Sequence, residues 1–158
     1  MILTCGDALF DVFATSGSSA SSIALDARVG GSPLNVAVAL SRLGQSTAFL
    51  SKVSNDHFGR KLIGYLESER IDVDLIVRTS APSTLAIVAL DDKGVPTYSF
   101  YTNGTADRSL AVSELPARLP DAVRVVHVGS YSTPLEPTAA SLEALATRER
   151  PRRFISYD

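Results

Sequence analysis

The stretch Gly30 to Gly44, GGSPLNVAVALSRLG, constrains the fold more than any other. Two glycines precede a Ser-Pro step, and a proline at the first helical position gives up no donor that the helix needs. Ser32 is the expected N-cap, and Gly44 falls where a left-handed residue ends a helix. From Pro33 to Leu40 the only polar side chain is Asn35. A helix that apolar must be covered. Apolar runs at Ile2 to Cys5 and Thr47 to Val53 flank it and read as strands. Strand–helix–strand units of this kind imply a parallel sheet with helices on its faces.

The rest of the chain extends that pattern. Asn55 to Glu69 is an amphipathic helix with Phe58, Leu62, Tyr65 and Leu66 on one face. Val123 to Val128 reads as a buried parallel strand, Pro137 to Arg148 as a third helix and Phe154 to Tyr157 as a last strand whose edge needs covering. Other segments do not fit one parallel sheet. Leu9 to Ala14 is a strand interrupted by Asp11, and Ala24 to Val29 alternates apolar and polar. The loop Gly17 to Ser22 separates them. Leu75 to Arg78, Thr84 to Leu90 and Thr97 to Tyr101 are short strand candidates, with a hairpin turn at Asp91 to Gly94 joining the last two. The strands within 9–29 and 75–101 are expected to form a separate small sheet. An apolar face on it, including Phe10, Val12, Ile87 and Phe100, would favour pairing of two copies.

Composition limits the function classes. A length of 158 residues suits one domain, and 45% hydrophobic residues can build a core. A net charge of −2 gives no electrostatic case for nucleic acid or an anionic membrane. No apolar run reaches the ~18 residues of a membrane span, and the start lacks the basic region of a signal peptide. The lone Cys5 reads as a small buried hydrophobe in a reducing, cytoplasmic setting. Asn103-Gly104-Thr105 reads as a turn.

Two polar residues need a reason to be where they are. Asn35, in the first turn of a buried helix, offers one acceptor and two donors beside a glycine pair that lets another molecule approach. It either serves its own helix or a neighbouring strand, or it meets a polyol. Asp11 interrupts an apolar strand. It is either a solvent-facing residue on an alternating strand or an acceptor for adjacent hydroxyls. Other motifs fail. No Walker-type phosphate loop and no G-x-G-x-x-G is present. His57 and His127 lie apart without further ligands, so no metal site is expected, and His127 reads as a satisfied core histidine. The arginines at 148, 150, 152 and 153 complement a helix C-terminus.

With these residues in hand, the chain resembles the N-terminal part of the ribokinase-like (PfkB) carbohydrate kinases, nearest to the fructokinases. CGDALFDVF is similar to the family's opening strand with its sugar-binding aspartate. GGSPLNVAVALSRLG resembles the N-terminal signature, VSNDHFGRKLIGYLESERIDVDLI the next strand and helix, STLAIVALDDKGVPTYSFY the lid hairpin and VVHVGSYS the central strand. The resemblance implies a three-layer α/β/α ribokinase-like fold with a small β-sheet lid over residues 1–158, the C-terminal nucleotide-binding portion being absent. It implies that Asp11, Gly31 and Asn35 hold sugar hydroxyls, that Gly30 and Gly31 hinge the lid, and that Phe100, Tyr101, Gly129 and Ser130 line the pocket. The family transfers a phosphoryl group from ATP with Mg²⁺ to a primary hydroxyl. The glycine-rich anion hole, catalytic aspartate and nucleotide pocket would lie past Asp158. The expectation is therefore a sugar kinase fragment, inactive alone, with no catalytic residue, no metal and no bound ATP or Mg²⁺ in this chain, and homodimeric through the lid. The alternative is a non-catalytic sugar-binding or dimerisation module.

Overall fold

A computed structural model describes residues 1–90 and 95–158. In chain order the elements are β1 (Ile2–Cys5), β2 (Leu9–Ala14), β3 (Leu25–Gly30), α1 (Ser32–Arg42), β4 (Thr47–Leu50), β5 (Lys52–Ser54), α2 (His57–Ser68), β6 (Val77–Thr79), β7 (Thr84–Leu90), β8 (Pro96–Tyr101), β9 (Val125–Val128), α3 (Thr138–Glu149) and β10 (Phe154–Tyr157). The expected turn at Asp91 to Gly94 lies outside the described residues.

The body is a parallel sheet in the order β10-β9-β1-β4. Ile2 stands opposite Thr47 on one side and Val125 on the other. Side chains alternate across such a sheet, and here both faces are covered. Leu3, Cys5, Ala48, Leu50, Val126 and Val128 join Leu142 and Leu145 of α3 in one core. Phe49 points the other way, into a second core with Leu34, Ala37 and Val38 of α1 and Leu62 and Leu66 of α2. The result is three layers. Burial pushes the Cys5 thiol well above its usual range, as fits a small apolar side chain rather than a reactive one.

The helices start and stop for local reasons. Asp56 caps α2 by accepting from the Gly59 N–H at 2.7 Å. Gly44 follows α1 with φ of 79°, and its N–H reaches the Ser41 carbonyl at 2.9 Å. The start of α1 differs from expectation. Gly31, not Ser32, occupies the N-cap, and no side chain caps the helix. Gly31 has φ of 111°, a conformation that closes the turn from β3 without a serine.

The small sheet runs β3-β2-β7-β8. Three expectations change. The run from Thr47 to Val53 breaks at Ser51 into β4 and β5. The strand expected near 75–78 is β6, which pairs in parallel with β5 and not with the small sheet. Its pairing is fixed by the Val77 N–H, which donates to the Ser51 carbonyl at 2.9 Å. Phe10 and Val12 do not lie on a free face: they are 6% and 4% exposed, and Ile87 packs against the same core. That face of β2 lies over the apolar side of α1 and α2.

Three of the four chain crossings between body and small sheet fall in one row, and the fourth lies one residue beyond it. Leu9, the first residue of β2, is opposite both Gly30, the last of β3, and Thr84, the first of β7. Leu85 is opposite Tyr101, the last of β8.

Candidate sugar site and the junction beneath it

Residues directly opposite in neighbouring strands share a face, so the register sorts the small sheet. Asp11 pairs with Arg28 on one side and Ala86 on the other, and Ala86 pairs with Phe100. Asp11 and Phe100 therefore share one face. Tyr98 joins them, stacked on Phe100 with ring centroids 6.1 Å apart. Tyr101 is in register with Leu85 and Phe10 and belongs to the opposite face, because neighbouring residues on a strand alternate. It is separated from Asp11 by the sheet itself.

Asp11 is half-buried, and burial raises its carboxyl above the usual carboxylate range. Its cross-strand neighbour Arg28 does not compensate it. The Arg28 guanidinium binds Asp26 at 2.8 Å and lies over the Phe13 ring. Among the described residues Asp11 has no hydrogen-bond or ion-pair partner. Its carboxylate instead lies where a side chain on Gly30 would have to be. Asn35 is exposed, and its backbone N–H closes the first turn of α1 on the Gly31 carbonyl at 2.9 Å. Its side-chain amide makes no helix cap and has no partner among the described residues. One of the two open readings of Asn35, service to its own helix, is thereby removed.

The body meets this face at the carboxyl ends of β1 and β9, where open α/β sheets place their ligands. Gly129 follows β9, and Ser130 has φ of 67°. The Ser130 N–H donates to the Asp158 carbonyl at 3.2 Å. Tyr131 and Phe100 wall one cavity of about 280 Å³, together with Thr102, Arg108 and Leu135. The small sheet and the body thus share a hollow.

Beneath it lies a polar junction. Asp107, 2% exposed, accepts from the Thr84 hydroxyl at 2.5 Å and from the Tyr131 hydroxyl, and the Thr105 hydroxyl lies 3.3 Å away. Burial raises its carboxyl, and these hydroxyls only partly offset that. Burial, with Asp107 alongside, likewise keeps the Tyr131 phenol protonated as a donor. Asp7, 1% exposed, sits under Gly31: a Cβ there would come within 2.6 Å of the Asp7 carbonyl. Burial raises the Asp7 carboxyl, the Ser130 and Ser132 hydroxyls pull it back, and the Asp107 charge raises it again. Asp7 Oδ1 has no hydrogen-bond partner.

The model of the family described as pfkB family carbohydrate kinase matches residues 1–155. The chain belongs to the pfkB family.

Among its relatives, a fructokinase of Rhizobium leguminosarum bv. trifolii is 37% identical over all of this chain and 48% of its own length. A probable fructokinase-4 of Arabidopsis thaliana is 37% identical over 82% of this chain and 40% of its own length. A crystal structure of a fructokinase from Xylella fastidiosa superposes with a TM-score of 0.89 at 32% identity, covering 99% of this chain and 49% of that one. A second structure of that fructokinase, with bound ATP, gives 0.88. The fold is ribokinase-like, as its solved relatives are. This pfkB chain spans about half the length of the relatives it matches.

Among the described residues of this pfkB chain no three His, Cys, Asp or Glu side chains gather. His127 bonds Ser156 at 3.1 Å within the body, as a core histidine does. Arg148 and Arg153 both pair with Glu149 rather than serving only the helix end. No helix among the described residues is long and apolar enough to cross a membrane. Sequence reading missed Asp7 and Asp107. The available signal for Asp7 was an acid two residues beyond a buried strand, next to Gly6, at the ligand-bearing end of a parallel sheet.

Proposed function

We propose that this chain is the sugar-binding half of a fructokinase-type kinase. Asp11 and Asn35 hold adjacent hydroxyls of a hexose over Gly30 and Gly31, Phe100 covers the ring, and Gly129 and Ser130 floor the pocket. The single observation that carries this reading is the pair of unpartnered polar side chains, a half-buried carboxylate and an exposed amide, flanking two glycines. A carboxylate only accepts and a carboxamide both donates and accepts, so together they match vicinal alcohols. Tyr101, on the other face, has no part in the pocket. The small sheet acts as the lid.

In the whole kinase the reaction is phosphoryl transfer from ATP to a primary hydroxyl, where the protein mainly positions and stabilises charge. ATP, Mg²⁺ and the catalytic base belong to the part of the family fold that this chain does not span, so it does not turn over alone. A cytoplasmic setting suits the reaction. The exposed Tyr98, Phe100, Leu25 and Ile23 of the small sheet and its β2–β3 loop support pairing of two chains through the lids. Sedimentation at high concentration should give a dimer, and a clean monomer would remove that part of the reading.

The decisive experiment is calorimetric titration of the chain with fructose. Saturable binding, weakened in both Asp11→Ala and Asn35→Ala, is expected. Unchanged affinity in both variants overturns the site. An ATP-coupled assay with fructose should stay at blank, and sustained turnover would place catalytic groups within this chain. The non-catalytic sugar-binding module gives the same binding result and is told apart by whether the reading frame continues into the remaining half of the fold.

A further inference from the structure

The row of chain crossings carries an unexpected asymmetry. At one end, Gly30 and Gly31 join β3 to α1, and Gly31 takes a backbone conformation that favours glycine. At the other, Thr84 opens β7 and is fully buried. Its hydroxyl donates to Asp107 at 2.5 Å and lies 2.7 Å from that of Thr105. Asp107 follows β8 through the turn at 102–105, and Thr105 in turn donates to the Thr102 carbonyl at 3.0 Å. The fourth member, Tyr131, comes from the end of β9 in the body. A single carboxylate thus gathers hydroxyls from the root of β7, from the segment leaving β8 and from the body. Its backbone carbonyl also accepts from Thr138 of α3 at 3.0 Å.

We propose that Asp107 is a positioning residue, a clamp that fixes the root of the small sheet on the body so that Phe100, on the Asp11 face of that sheet, stands across the hollow from Tyr131. The glycine end of the row is left free to turn, and the clamped end sets where the turning line lies. This rests on the reading of the hollow as a sugar site, but the clamp itself is a statement about the position of the sheet.

The test reads position and affinity separately. Cys5 is the one cysteine and is buried, so cysteines introduced at exposed Ser99 and Thr147 accept spin labels selectively. The distance distribution between them is compared in the parent, Thr84→Val, Tyr131→Phe and Asp107→Asn. Thr84→Val and Tyr131→Phe each remove one hydroxyl with little change of shape. Each should at least double the width of the distribution and weaken fructose binding about fivefold, the worth of one buried hydrogen bond. The double variant should be little worse than the worse single, because the groups act as one unit. Asp107→Asn keeps an acceptor and should fall between. Unchanged widths in all three folded variants overturn the clamp, whether or not sugar binds. Widths that change while the parent fails to bind fructose leave the clamp standing and sink the sugar reading instead. A lowered melting temperature with unchanged width and affinity would mark the cluster as structural only and also overturns the proposal.

Discussion

The two sheets of this molecule use the same residue types for different ends. In the parallel sheet every position of β4 is buried, and successive side chains feed two different cores. In the small sheet the two faces differ, although Thr84 and Ala86 are buried on the outer one as well. Phe10 and Val12 pack inward, while Asp11, between them, faces outward with Phe100 and Tyr98 in line. The central strands of the parallel sheet are therefore held mainly by packing, and only its edge strand β10 leaves large side chains, Phe154 and Tyr157, exposed. On the outer face of the small sheet Asp11 lacks a protein partner, and such a group is costly unless something else satisfies it. The body is packed on both faces of its sheet, and the small sheet presents a carboxylate, Asp11, that no protein group satisfies.

The sharpest way to break this contrast is to remove a core side chain of the body. Phe49 is 0% exposed, and Phe49→Ala should cost about 3–5 kcal/mol by cavity formation. Urea denaturation measures it, and a loss under ~1 kcal/mol would mean that the body is not the stable half. Next comes Asp11→Ala, which should weaken fructose binding by about 1–3 kcal/mol while the denaturation midpoint stays put or rises, since burial already opposes the charge. A large fall in the midpoint would make Asp11 structural. Gly31→Ala joins the two regions. Its φ of 111° and the Asp7 carbonyl 2.6 Å from the new Cβ should cost about 1–3 kcal/mol of stability and impair binding too. Binding that is unchanged would separate the turn from the site.

A smaller effect concerns pH. Asp7 and Asp107 face each other's charge, the hydroxyls of Thr84, Thr105, Ser130, Ser132 and Tyr131, and no cation among the described residues. Their carboxyls lie above the ordinary value when folded, so the folded chain holds more protons than the unfolded one. Stability from this pair falls as pH rises from about 4 through the raised folded values. Asp56 and Glu149 act oppositely. Burial alone would raise them, yet hydrogen bonds from Gly59 and Ser83, and from Arg153 and Arg148, hold them below the usual range, so their share is lost as pH falls. Asp107→Asn should therefore gain on the parent between pH 4 and pH 7 in urea denaturation, and a constant difference would contradict it. The smallest effect is at Phe100. Being 59% exposed, it should alter stability by less than about 0.5 kcal/mol on change to Ser, while fructose binding weakens.

How much of this could be read in advance follows the range of each interaction. α1 was legible because its proline, its apolar run and its closing Gly44 are local signals, and β10 for the same reason. The strand at 77–79 was not placed, because what recruits it is a carbonyl at Ser51, 26 residues away, that no pattern within three residues can encode. Asp11, Gly30, Gly31 and Asn35 stood out as departures from an apolar rhythm. Which face Phe100 or Tyr101 takes depends on one residue of register, and a slip of one exchanges them. The Asp107 cluster was invisible for a further reason. It joins Thr84, Thr105, Asp107 and Tyr131 through tertiary contact alone, and each is an ordinary residue in its own sequence neighbourhood.

The row of crossings has a mechanical corollary. Four attachments close to one line block sliding and shear of the small sheet at once, and rotation about that line is opposed only by the packing of Phe10, Val12 and Ile87 on the helices. From Thr84 to Ala89 the strand rise gives a lever of about 17 Å, so a swing of ~10° carries the far rim roughly 3 Å. Any motion of the small sheet against the body is thereby reduced to a single angular variable.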